Sequence, residues 1–549
     1  MRYADLVLKS SAVFDGVNDV PFDGAVAVSE GKIVYCGNKE GVQDYIGNLT
    51  VVKDFGDCLI SPGLCDGHAH INGTIFRECA PAAHIDNCTS MKECLDVACE
   101  FYKQHPEVEF VYGTGWMLNY WEEGAPFPTK EDIDAVLPDI PVYLQSGDGH
   151  TFWLNSKAIE VSGILAFKAK NDSWLSPDWL VKDSDGNMTG LFKEGYVGYL
   201  MDITQRVSPA MMTSFRKDLV RIMNSYGLTG MSEMTMFDPS VLPENLADFK
   251  MMEKAGTLSA RFYLFVDPFR NPRGIQSVID MVPFFDTDQI KIVGIKECMD
   301  GIPAMHTAAM IEPYYDDPST TGVFAKDKEV IMNEIVTANK YGFPVRTHCT
   351  GDNAVRYALD CYEESLRQNG RKGLRNTIEH MDGVSDADLP RFKTLDVTPS
   401  MQPAHLIMDN RIRVQRLGPE VSKYDWAFRR LADAGMTEHL VVGTDSPVVS
   451  INPYHNIYMA ITRKNLQGEC LSREGAGNQA LTMAEVLKGY TANAAWIANM
   501  EGKVGTLEPG KYADITVSSC DLFKASEDEL RDAHAVCTVF NGKIVFDVS

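Results

Sequence analysis

The sequence predicts an α/β chain consisting of a (β/α)8 TIM-like barrel, a small β-sandwich built from both chain ends, and an α/β subdomain inserted into the barrel. Three observations lead to this. Strand-like runs alternate with helical patterns through the middle of the chain, the signature of parallel strands joined by crossover helices. Short strands broken by turn dipeptides occupy both ends. Five separate strand-like runs end in polar, metal-ligating residue types, and only a closed ring brings so many strand ends around one point.

At the N-terminal end, Asp15-Gly16, Asp23-Gly24, Glu30-Gly31 and Gly37-Asn38 separate runs such as Ala25–Val28 and Ile33–Tyr35. At the C-terminal end, Ala513–Val517 and Ala535–Phe540 precede Asn541-Gly542, a strong hairpin dipeptide. Residues 1–62 and 500–549 are therefore expected to form one composite sandwich, and residues 63–499 the barrel. Candidate strands are Glu109–Gly113, Pro141–Gln145, Thr229–Thr235, Arg261–Val266, Ile290–Lys296, Pro344–His348, Asn376–His380, Val397–Gln402 and His439–Asp445. With the run entering His68, these exceed the eight that a barrel needs. The surplus is assigned to an insertion at about residues 75–210, where Pro, Gly, Asn and Trp are frequent and periodicity is least regular.

The chain has 549 residues, a length that suggests more than one domain, and 45% of them are hydrophobic, enough for a large core. A formal net charge of −25 opposes binding to nucleic acid or anionic membranes by bulk attraction. Thirteen cysteines without C-x-x-C pairs fit free thiols in a reducing compartment. The N-terminal residues alternate in a strand-like way with no long apolar stretch, and no run approaches a membrane span, so the cytoplasm is the expected location. Neither a G-x-G-x-x-G nor a Walker-type glycine loop argues for a nucleotide fold. The expected partner is a small-molecule substrate; self-association is left open, because nothing identifies an interface.

The run Gly63-Leu64-Cys65-Asp66-Gly67-His68-Ala69-His70 carries the most chemistry. Residues i and i+2 of a strand point the same way, so both imidazoles of an H-x-H can reach one ion. Alone the motif is weak. Lys296, His348, His380 and Asp445 strengthen it, since each closes another apolar run. Parity also agrees: Ile292, Gly294 and Lys296 share one face, as do Val441, Gly443 and Asp445, with a small residue leaving room two positions before each ligand. The plainer reading, a set of hydrogen-bonded core polar residues, does not account for the joint pattern. Together these residues would hold one or two divalent ions, Zn²⁺ by donor type, with Mn²⁺ and Fe²⁺ as alternatives. A metal lowers the pKa of bound water from 15.7 to about 7. Asp445 would then serve as both ligand and base. Lys296 would ligate only after carboxylation by CO₂; the competing reading is an unmodified lysine salt-bridged in the pocket.

These motifs resemble those of the amidohydrolase superfamily, in particular the family-3 branch with N-substituted formamide deformylase-like proteins. The resemblance covers nearly the whole length. It includes Pro62–His70, the segment Asp148–Ala158, Lys296–Gly301, His348–Ala354, Ile378–His380 with Gln402–His405, Gly443–Pro447, Tyr490–Ala495 and Gly505–Asp514. It implies a β-sandwich, a metal-bearing barrel, an inserted subdomain, and hydrolysis of amide or related C–N bonds. The chain departs from the branch at Glu297-Cys298, where small or apolar residues are usual, and at Pro303–Ala308, where a Ser-Arg-Thr-Ala-like stretch is usual. Substrate class is therefore not carried over.

The leading expectation is a metal-dependent amidohydrolase cleaving the C–N bond of an amide, formamide or cyclic amide. Deamination, ester or lactone hydrolysis and metal-assisted isomerisation use the same site and stand as alternatives, as does a catalytically idle metal-binding protein. His150 is expected to bind substrate or polarise its carbonyl, beside Asp445 as the second catalytic group. Trp153, His306, Gln402 and His405 are candidates to line the pocket. Arg346 shares parity with His348, so it either grips a substrate carboxylate or ties down an acidic neighbour, the second being preferred because an inward arginine is costly unless paired. Asp300, Gly351, Asp352 and Glu379 read as residues that orient ligands or cap turns.

Overall fold

The computed structural model describes residues 3–549 except 87, 119–120, 123, 148, 173–174, 205–206, 236–237, 408–409 and 437, and for 410–411 and 435–436 the backbone alone. Asp148 of the inserted motif thus lies outside the described residues. The chain divides into two units, the first made of Met1–Ile71, Asp218–Asp445 and Ile451–Ser549, the second of Asn72–Lys217 and Ser446–Ser450.

The first unit contains eight parallel strands: β1 (Leu64–Ala69), β2 (Leu228–Met234), β3 (Arg261–Val266), β4 (Ile290–Cys298), β5 (Val345–Cys349), β6 (Thr377–His380), β7 (Thr398–Met401) and β8 (Val441–Val442). Neighbours in this order pair in parallel. β8 is only two residues long because the chain then turns onto β1. The Asp445 N–H donates to the His68 carbonyl at 2.7 Å, and the Thr444 N–H to Asp66 Oδ1 at 3.0 Å, drawing the ring together. Two glycines permit that approach. A Cβ on Gly443 would lie 2.4 Å from the His68 nitrogen, and one on Gly67 would lie 2.5 Å from the Val442 carbonyl oxygen. The small residue before Asp445 thus makes room for β1 rather than for the barrel axis.

Crossover helices cover the outside of the ring. In Asp352–Asn369 the buried face includes Val355, Leu359 and Tyr362 at helical spacing, and the Tyr362 hydroxyl lies 2.9 Å from Thr347 Oγ1 of β5.

Both chain ends enter one hydrogen-bonded sheet, in the order Lys543–Asp547, Ala535–Phe540, Ile515–Ser518, Leu59–Pro62, Leu6–Val13, Phe22–Ser29 and Lys32–Gly37, with Val51–Asp54 pairing to Leu6–Val13. Its strands alternate between two small cores, one around Leu8, Val26, Ile515 and Val539, the other around Val7, Ala25 and Ala27. Asn541 and Gly542 both have positive φ, 46° and 77°, as a primed hairpin turn requires. Arg261 of β3 fastens this sheet to the ring through Asp514, at 2.7 and 3.2 Å.

The second unit has a six-stranded sheet, ordered Leu180–Lys182, Met188–Lys193, Thr151–Leu154, Val142–Ser146, Val111–Trp116 and Ala83–His84. The two surplus runs expected near 109 and 141 are strands of this sheet. Successive residues of Thr151–Leu154 face opposite cores, Trp153 one way and Phe152 and Leu154 the other. Among the described residues, no helix is long and apolar enough to cross a membrane.

Candidate metal centre

Asp445, just past β8, lies among histidines from three other strand ends. Its Oδ1 is 3.1 Å from His68 Nε2 and 3.1 Å from His70 Nε2. Its Oδ2 is 3.6 Å from His405 Nε2 and 3.9 Å from His380 Nδ1. The donor atoms fall into two compact groups that share the aspartate, His68–His70–Asp445 and His380–His405–Asp445. Ligands of one tetrahedral zinc, each about 2.0–2.1 Å from it, stand about 3.3 Å apart, and the two 3.1 Å contacts of Asp445 Oδ1 have that spacing. His68 Nε2, His380 Nδ1, His405 Nε2 and Asp445 Oδ1 are buried and make no hydrogen bond. Buried polar atoms left so are rare, and imidazole nitrogen and carboxylate oxygen are donor types that a divalent cation takes.

β1 delivers the H-x-H pair as its period of two requires. His68 is fixed from behind, its Nδ1 lying 2.6 Å from Glu379 Oε2 of β6. Glu379 Oε1 in turn accepts from Arg346 Nε at 2.5 Å, and Arg346 Nη2 donates to Ser400 Oγ at 3.1 Å. Arg346 is 0% exposed, with its guanidinium 4.7 Å from the Phe265 ring centre. It therefore serves Glu379 and is not available to a substrate carboxylate, which corrects its placement among substrate-binding residues. Gln402 is likewise turned inward, its Nε2 at 3.4 Å from Glu379 Oε2.

The electrostatics suit cation binding. Burial would raise the Asp445 carboxyl, but His68, His70 and His380 hold it well below the usual range. Burial opposes ionisation of Glu379 too, and Arg346 and His68 outweigh it. Burial pushes the His405 imidazole down to about 4 and, with the neighbouring His348, drives His380 well below its ordinary value, so both rings are neutral and ligand-competent at neutral pH. Burial lowers His70 while the Asp445 carboxylate raises it more, leaving a net upward shift. Lys296, buried on β4, is lowered by burial against the pull of Glu379 and Asp445.

Other candidates are not members of the two donor groups. His348 on β5 joins neither; its ring centre lies 4.4 Å from that of His380, and its Nε2 is 3.5 Å from the Gly301 carbonyl oxygen. His306 is held by Asp316, Nε2 to Oδ1 2.9 Å, edge-on to Tyr314. In the second unit, His150 Nδ1 lies 3.0 Å from Glu194 Oε2. Trp153 is a correction to the expected pocket wall: it is 0% exposed, packed edge-on to Trp116, with its indole N–H donating to the Thr129 carbonyl at 2.7 Å.

Two buried carboxylates escaped the sequence reading. Asp66 takes the His68 N–H at 3.0 Å and the Thr444 hydroxyl at 2.6 Å, and burial raises its pKa to about 6. Its place two residues before His68 was the available signal. Glu233 of β2 accepts from the Ile71 N–H and from Thr235 Oγ1, and no local motif marks it.

A protein-family model described as "Amidohydrolase family" matches residues 52–546. The chain is 27% identical over 536 residues to the putative amidohydrolase YtcJ of Bacillus subtilis, covering 96% of each. It is 22% identical over 533 residues to the N-substituted formamide deformylase of Arthrobacter pascens, covering 95% of each. Among solved structures, an uncharacterized metal-dependent hydrolase from Pyrococcus horikoshii superposes with a TM-score of 0.72 at 23% identity, covering 95% of this chain and 99% of that one.

Proposed function

From the premise that this chain belongs to the amidohydrolase family, we propose that it is a metal-dependent hydrolase that cuts the C–N bond of an amide, formamide or cyclic amide in a small organic molecule. One observation carries the reading: the Asp445 carboxylate has buried imidazole nitrogens around both of its oxygens. This neutral-imidazole and carboxylate set suits Zn²⁺, with Mn²⁺ and Fe²⁺ as alternatives. A divalent ion held there supplies Lewis acidity, lowering the pKa of water and polarising a carbonyl oxygen.

The chain's own groups do the rest. Arg346 keeps Glu379 ionised, and Glu379 accepts the His68 Nδ1–H, which leaves the Nε2 lone pair facing the site. Asp445, ionised at neutral pH, takes a proton from the attacking water and returns it to the leaving nitrogen. His150, oriented by Glu194, is proposed to polarise the substrate carbonyl. Lys296 has a lowered pKa, which favours the free amine that CO₂ carboxylates, so a carboxylated Lys296 belongs to the same proposal.

Mass-spectrometric turnover of a panel of N-formyl, N-acyl, cyclic amide and lactone compounds by metal-loaded protein tests the function, with Asp445→Asn as control. Products that gain the mass of water only with the wild type support a hydrolase and identify the bond. Lactone turnover with intact amides would move the activity to esters, and turnover retained by Asp445→Asn would remove Asp445 as the base.

A further inference from the structure

We propose that Arg416 is a specificity-determining residue: it latches the long connection after β4 over the ends of β5 and β6, and so bounds the size of the substrate that is admitted. The proposal rests on the hydrolase reading above and adds to it what limits the substrate.

Between β4 and the helix Lys328–Lys340 the chain forms no helix beyond the single turn Pro303–Met305. Connections this long without structure of their own are uncommon in compact domains and are usually functional. Both ends of this one are tied to β4. At the start, the buried Asp300 carboxylate accepts from the N–H groups of Thr350 at 3.1 Å, Gly351 at 2.8 Å and Ala309 at 2.9 Å. On the return, the Ala325 N–H donates to the Met299 carbonyl at 2.8 Å, and Lys326 Nζ donates to Glu297 Oε1 at 2.9 Å. The middle of the connection is thereby a strap that projects from β4. It packs first on the segment after β5, where the Ile311 N–H donates to Asp352 Oδ1 at 2.8 Å. The approach is close: a Cβ on Gly351 would lie 2.1 Å from the Ala309 carbonyl oxygen.

The far end of the strap meets the helix Asn410–Ser422, which belongs to the connection after β7. The Tyr315 N–H donates to the Arg416 carbonyl at 2.7 Å, and Arg416 Nε donates to the Ala304 carbonyl at 3.1 Å. Arg416 Nη1 pairs with Asp316 Oδ2, and Asp316 Oδ1 lies 2.9 Å from His306 Nε2. β4 and β7 are not neighbours in the ring; β5 and β6 lie between them. A strap that leaves β4, packs on the segment after β5 and is fastened to the helix after β7 spans the strand ends that carry His348 and His380. These are the ends around which a barrel of this kind builds its active site. Apolar packing adds little to the fastening, since the cluster of Ala308, Met310 and Tyr314 receives only Leu417 from the helix. The hold therefore depends on Arg416, whose guanidinium and carbonyl reach three strap residues.

Hydrogen–deuterium exchange by mass spectrometry on the full-length protein tests the latch. In Arg416→Met, exchange across residues 306–325 is expected to be faster than in the wild type, with the helix Asp352–Asn369 unchanged. Asp316→Asn breaks the same ion pair from the other side and serves if the methionine variant does not fold. The size limit is read from kcat/KM for N-acyl compounds of increasing acyl length. Releasing the latch is expected to raise kcat/KM for the longest compound relative to the shortest by about 10-fold or more, the discrimination that one methylene can carry in a closed pocket. A looser fold alone would lower both values together. Unchanged exchange in the strap would overturn Arg416 as the latch. Faster exchange with an unchanged size profile would overturn the strap as the limit on substrate while leaving the hydrolase reading intact. A wild type that turns over no compound of the wider panel, with the strap still loosened by the variant, would overturn the hydrolase reading and the size limit with it.

Discussion

His68 and Glu379 share a hydrogen bond of 2.6 Å between the imidazole Nδ1 and a carboxylate oxygen, and neither residue is exposed to solvent. An ionised carboxylate only accepts, so the proton sits on Nδ1 and Nε2 presents a lone pair. Glu379 can stay ionised in this apolar surrounding because its second oxygen receives Arg346 Nε. A chain of buried polar contacts thus runs from Arg346 through Glu379 and His68 to Asp445.

Removing the charge at the middle of this chain separates its two jobs. Glu379→Gln is expected to weaken metal binding by about 10–100-fold, the usual loss when an outer partner of a ligating histidine is removed, and to destabilise the fold by about 3–5 kcal/mol because Arg346 is left unpaired. Competition with a chromophoric chelator reads the first quantity, urea unfolding the second. Wild-type metal affinity in this variant would show that Glu379 does not set the state of His68.

Arg346→Met addresses the alternative that the arginine reads the substrate. With its guanidinium wholly buried against Glu379, Ser400 and Phe265, the loss is expected in stability, again about 3–5 kcal/mol, and KM should move alike for anionic and neutral substrates. The double replacement Arg346→Met with Glu379→Leu should recover much of that stability, since removing both partners leaves no uncompensated charge. A KM rise confined to anionic substrates in a stable single variant would reverse the conclusion.

Closure of the ring depends on what Gly443 lacks. A β-carbon there would lie 2.4 Å from the His68 backbone nitrogen and 2.8 Å from its Cβ, and backbone cannot swing aside as a flexible side chain can. Gly443→Ala is expected to cost about 1–3 kcal/mol, the range for forced overpacking, and to lower metal affinity by shifting His68 against Asp445. Thermal melts with and without added zinc measure both; an alanine variant matching the wild type in both would mean that β1 and β8 tolerate a wider gap.

How far the sequence could be read follows from the range of the contacts involved. Strand ends, the parity of His68 with His70 and the Asn541-Gly542 turn are local, and period and turn chemistry suffice for them. The H-x-H pair in particular needs only that a strand alternate. Trp153 was not legible in this way, because a tryptophan among glycines and prolines looks the same whether it lines a pocket or packs on Trp116. Nor does anything near His405 say that its imidazole meets an aspartate forty residues on. That contact depends on the turn after β7 and on the hydrogen bonds that Asn456 makes to both segments. Glu233 is fixed by pairing between β1 and β2, strands separated in sequence by Asn72–Lys217 of the second unit.

Metal removal tests the centre as a whole. Without a cation, four buried nitrogen and oxygen atoms lack hydrogen bonds, and Asp445 and Glu379 are both ionised and buried, Glu379 balanced by Arg346. A ligand that binds only the folded state stabilises it by about 2.7 kcal/mol when present at a hundred times its Kd. Exhaustive dialysis against a chelator is therefore expected to lower Tm and abolish turnover together, and stoichiometric zinc should restore both. Because the donors come from β1, β6, the turn after β7 and the segment after β8, the restored protein should resist proteolysis throughout the ring. A chelator-treated protein with unchanged metal content would call for a stronger competitor before the comparison is made. Proven apoprotein with the Tm of the holoprotein would mean that the buried donors find their partners within the chain, and the centre would lose its claim to a structural cation.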